Sequence, residues 1–89
     1  MQKLYKLSAI EVTDGIVVDG GDTLTFSVSG TGTVKAEVKL TDDVDSVWKV
    51  AQICDDGVVY STVSGARAFR FNQTAASGET ICEVTGANV

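Results

Sequence analysis

The feature that most constrains this chain is the alternation of apolar and polar residues, interrupted at short intervals by Gly, Asp, Ser or Thr. The clearest stretch, Thr23 to Ser29, sets Leu24, Phe26 and Val28 on one face and Thr23, Thr25, Ser27 and Ser29 on the other. Successive side chains of a strand point to opposite faces, so this pattern describes a half-buried β-strand. Thr33 to Leu40 repeats it, with Val34, Ala36, Val38 and Leu40 inward and Lys35, Glu37 and Lys39 outward. No window carries an apolar stripe at i, i+3, i+4, i+7, so helix is at most a turn.

The remaining segments follow the same rule. Leu4–Leu7 and Ala9–Val12 form a first extended piece, and Ile16-Val17-Val18 is a short apolar run behind the Asp14-Gly15 turn signal. Asp19-Gly20-Gly21-Asp22 and Gly30-Thr31-Gly32 are expected turns, since glycine supplies positive φ cheaply. Val47 to Ile53 is predicted as a strand with Trp48 in register with Val50. Asp55-Asp56-Gly57 predicts a hairpin-type turn into Val58–Val63. Ala66–Asn72 places Arg67, Phe69 and Phe71 against Ala68 and Arg70, and Glu79–Thr85 closes the set. About seven or eight short strands of this kind predict an all-β fold, a small antiparallel β-sandwich or jelly-roll-like barrel.

With 89 residues, the chain is expected to form one domain, residues 1–89, without repeat or linker. So short a chain buries only about 60–65% of its unfolded surface, which favours a partner or self-association. Residues 1–9 read either as the first strand or as an extended arm that adds to another subunit's sheet. The absence of proline leaves edge strands without one of their usual guards.

Composition then narrows the chemistry. Without histidine, a histidine-based triad and a histidine metal site are excluded, and no G-x-S-x-G element or facing carboxylate pair stands out. No enzyme, cofactor or metal is therefore expected. Asp42, Asp43 and Asp45 lack the spacing of a calcium loop and read as turn formers. Seven basic against twelve acidic residues, net −5, argue against nucleic acid. No apolar run approaches a membrane span, and the alternating start shows no export signal. Cys54 and Cys82 accordingly read as reduced, buried thiols. Phe26, Phe69, Phe71 and Trp48 occupy the apolar phase and are predicted core, leaving Tyr5 and Tyr60 as outward aromatics. Arg67 and Arg70 point to opposite faces of one strand, Arg70 outward toward a neighbouring acid or a second subunit.

Four segments carry a family cadence: Val34–Val38, Asp45–Ala51 around Trp48, Ala66–Asn72, and Gly78–Val84. Strand, Asp-rich turn, tryptophan strand, aromatic–Arg strand and final strand after glycine together resemble small β-sandwich virion proteins of tailed bacteriophages, across residues 33 to 85. The resemblance implies a head-decoration (cement) subunit on the capsid surface, made in the host cytoplasm. Such a subunit binds and stabilises the major capsid protein shell and self-associates as a homo-trimer. The expected contacts are Lys3, Leu4, Tyr5 and Leu7 with Arg67 and Arg70, and deleting residues 1–9 is expected to leave a folded domain. The alternatives are a tail or neck component, or a carbohydrate-binding module using Tyr60 and the acidic loop with calcium.

Overall fold

The computed structural model describes residues 2–18 and 22–86, so the Asp19-Gly20-Gly21 turn lies outside the described residues. They form seven strands and no helix: β1 (Gln2–Leu7), β2 (Glu11–Val12), β3 (Ile16–Val17), β4 (Thr23–Lys39), β5 (Lys49–Ser64), β6 (Ala68–Ala75) and β7 (Thr80–Thr85). All pair antiparallel in one sheet that curls into a half-barrel. The all-β expectation therefore holds.

The register explains the curl. β4 pairs with β5 along its whole length on one edge. Its other edge pairs first with β7, over Thr25–Ser29, and then with β6, over Thr33–Lys39. Beyond them, β1 runs along β7 while β2 and β3 run along β6. The sheet is thus four long ribbons: β1-β2-β3, β7-β6, β4 and β5. Laid straight, the 17 residues of β4 would span about 56 Å at ~3.3 Å each. Yet the Gly65 N–H bonds the Asp22 carbonyl and the Arg67 N–H bonds the Lys39 carbonyl, at opposite ends of β4. Two residues bridge at most ~7 Å. β4 is therefore folded back on itself, and its halves belong to two facing layers.

One layer contains β1, β7, the first half of β4 and the second half of β5. The other contains β2, β3, β6 and the remaining halves. Phe26 of the first layer meets Phe69 of the second at 5.4 Å between ring centroids, and Phe69 meets Phe71 edge-on at 5.0 Å. Leu24, Val28, Val34, Ala36, Cys82 and Val84 belong to the same buried interior, so the predicted alternation places the core correctly on β4 and β6, except at Leu40, which lies past the end of β4 and is exposed, not inward.

The crease is where expectation and structure part. Gly30-Thr31-Gly32 and Asp55-Asp56-Gly57 do not reverse the chain; they bend strands that continue through them. Gly30 and Gly57 are cross-strand partners with φ of 147° and 98°, conformations that L side chains rarely adopt. A hairpin closed over Gly30-Thr31-Gly32 would bring Val28 opposite Val34 and Leu24 opposite Val38. The observed register instead satisfies backbone groups along both halves of the β4–β5 pair.

Gly32 serves the crease differently. A Cβ there would lie 2.6 Å from Gln73 Oε1, 2.7 Å from the Ala75 carbonyl and 2.9 Å from Thr80 Oγ1. Only a glycine lets β4 approach β6 and β7 this closely. Gln73 is fully buried and donates from Nε2 to the Ala9 carbonyl at 2.7 Å, tying the first ribbon to the second at the same level.

Candidate binding surface

The acidic loop behaves as a turn. Asp43 Oδ1 accepts the Asp45 N–H at 2.8 Å, and the Ser46 N–H bonds the Asp43 carbonyl at 3.0 Å. Arg67 holds Asp42, with Nε donating to Oδ1 at 3.3 Å and Nη2 to Oδ2. Among the described residues no three His, Cys, Asp or Glu side chains gather to hold a metal ion.

Cys54 and Cys82 are free and buried. Burial pushes both thiols up, Cys82 to about 12 with a further contribution from Cys54 nearby. They pack as small apolar groups and not as nucleophiles.

Trp48 departs from its expected core position. β5 begins at Lys49, so Trp48 is not held to strand alternation and folds back over the outer face of the second layer. There its ring sits 4.4 Å from the Arg70 guanidinium carbon and 5.2 Å from Lys39 Nζ. Its far edge rests against Gly15, where an added Cβ would stand 3.3 Å from Cζ2. Arg70 also donates to Glu37 Oε1 at 2.7 Å, and Asn72 Nδ2 donates to Oε2 at 3.4 Å. Glu37 is only 7% exposed, so this ion pair is partly desolvated and stronger than a surface one. Arg70 does find the neighbouring acid the pattern suggested.

The six expected contact residues do not converge. Leu7 lies in the core. Tyr5 points inward, its ring edge-on to Phe71 at 5.9 Å and its hydroxyl buried without a hydrogen-bond partner among the described residues. Burial first, then Asp14, pushes its pKa up. Leu7 and Tyr5 are thus packing residues, a correction to their assignment as contacts: they pair with Thr80 and Cys82, whose side chains face the interior. Residues 2–7 are the first strand of this chain's own sheet, so the free-arm alternative is set aside and their removal would open the core. Lys3 and Leu4 remain at the surface, whereas Arg67 and Arg70 are engaged with Asp42 and Glu37.

What the expectation missed is β5. This strand of 16 residues pairs only with β4, so its other edge is open among the described residues. It displays Val58 and Tyr60, each 75% exposed, on one layer and Ile53, 55% exposed, on the other. A long open edge with apolar side chains and no proline is a ready template for another strand. The runs Val47–Ile53 and Val58–Val63 contained the signal, being apolar on both phases.

No protein-family model matches the chain, no curated protein matches its sequence, and no solved structure matches its fold.

Proposed function

We propose that this chain is a structural assembly protein that docks on a protein shell by extending its sheet across the open edge of β5. In the form the sequence resemblance implies, it is a head-decoration subunit of a tailed phage. It self-associates as trimers on the capsid surface and stabilises the major capsid protein shell. The observation that carries the reading is the β5 edge, unpaired along 16 residues among the described residues and flanked by exposed Val50, Ile53, Val58 and Tyr60. Strand addition there supplies main-chain hydrogen bonds, and the flanking side chains supply apolar area. An acidic net charge favours a basic docking surface.

Ile53→Lys and Val58→Lys test it, because both side chains project into solvent and their loss leaves the core intact. The variants are expected to fold as the parent does and to lose co-sedimentation with expanded capsids. Unchanged binding by the double variant refutes docking through β5.

A further inference from the structure

A second surface lies on the outer face of the first layer. In register, Leu4 pairs with Glu83, Glu83 with Ser27, and Ser27 with Tyr60, so these four form one row across four strands. Three strand spacings of ~4.8 Å separate the ends of the row by about 14 Å. The row lies in a shallow groove of about 470 Å³, floored by Glu83, Ser27, Thr25 and Thr85 and walled by Leu4 and Tyr60.

We infer that this groove is a binding site for a short neutral oligosaccharide, a second role that shares Tyr60 with the β5 edge. The floor offers the Ser27 and Thr25 hydroxyls, which both donate and accept, with the Glu83 carboxylate, which accepts, and this matches the mixed demand of sugar hydroxyls. Glu83 lines the groove in register with Leu4 and Ser27, and among the described residues no ion pair engages it. Tyr60 presents an aromatic ring 75% exposed to solvent, a flat apolar platform for the C–H face of a pyranose. The polar floor disfavours a purely apolar ligand, which would strand these groups without water.

The test is a titration of the full chain, followed by backbone amide chemical shifts, with cellotetraose, maltotetraose and chitotetraose as probes. At least one should move amides of Ser27, Tyr60 and Glu83 while leaving those around Trp48 and Arg70 in place. Tyr60→Ala should weaken that binding at least tenfold, and Glu83→Gln severalfold, with both spectra otherwise preserved. The inference is overturned if none of the three shifts these amides at about 10 mM, well above a ~1 mM dissociation constant. Binding that survives Tyr60→Ala unchanged overturns it, as does displacement of a bound sugar by a polylysine peptide at the same amides.

Discussion

Replacing Gly32 with alanine tests the folded-back architecture at its tightest point. The backbone there lacks a positive φ, so alanine itself is conformationally acceptable and its stiffer unfolded chain contributes about 0.4–1 kcal/mol in favour. Against this stand three oxygens at 2.6, 2.7 and 2.9 Å from the new carbon, one of them the Ala75 main-chain carbonyl. Displacing packed neighbours costs about 1–3 kcal/mol. Gln73 must also swing, and freeing its buried amide from Ala9 costs a further ~1–3 kcal/mol. The net loss is centred on ~3 kcal/mol, within a span of about 1–5.6 kcal/mol, a large share of the roughly 5–13 kcal/mol available to a domain of this size. In thermal denaturation this lowers the midpoint by about 10–30 °C. Gly57→Ala is the control: its Cβ would meet nothing within 4 Å, leaving only the strain of φ 98°, about 1–2 kcal/mol. A Gln73→Ala background should shrink the Gly32→Ala penalty, because one of the three obstructing atoms is gone. If Gly32→Ala costs less than about 0.5 kcal/mol, β4 does not pass this close to β6 and β7, and the crease is wrong.

Phe69→Ala should cost about 3–5 kcal/mol in urea denaturation, whereas Trp48→Ala, which loses ring contacts on an outer face, should cost no more than ~2 kcal/mol; equal losses would return Trp48 to the core. Arg70→Ala leaves the Glu37 carboxylate partly buried and unpaired, so it should destabilise by about 2–3 kcal/mol, while Glu37→Gln with Arg70→Met should recover much of that loss in a double-mutant cycle. The Cys82 thiol binds its proton more tightly in the folded state, about 12 against 9.0, so it supports stability fully below pH 9 and less as pH rises toward 12; a stability profile flat across that window would contradict the burial. Removal of residues 1–9 takes away Leu7, the Tyr5–Phe71 contact and the Ala9 carbonyl that holds Gln73, so circular dichroism of the shortened chain should show loss of cooperative unfolding, and a native-like transition would restore the arm alternative.

Period-two alternation was enough to determine the all-β class, the inward faces of β4 and β6, and the places of Phe26, Phe69 and Phe71, because side-chain direction in a strand follows from local backbone geometry. It also showed that Asp43 and Asp45 make a turn, since an Asp side chain caps its own following backbone. What it did not determine is whether a glycine ends a strand or bends it. Gly30 and Gly57 look the same in both cases, and only the pairing of β4 with β5, β6 and β7 selects the bend. Trp48 stood outside the core for a related reason: its partners Arg70, Lys39 and Gly15 come from distant segments, and no local pattern ranks a guanidinium stack above a core position. The same holds for the row from Leu4 to Tyr60. Local sequence determined which face each residue takes, but strand order alone decided which residues from four separate segments meet on that face.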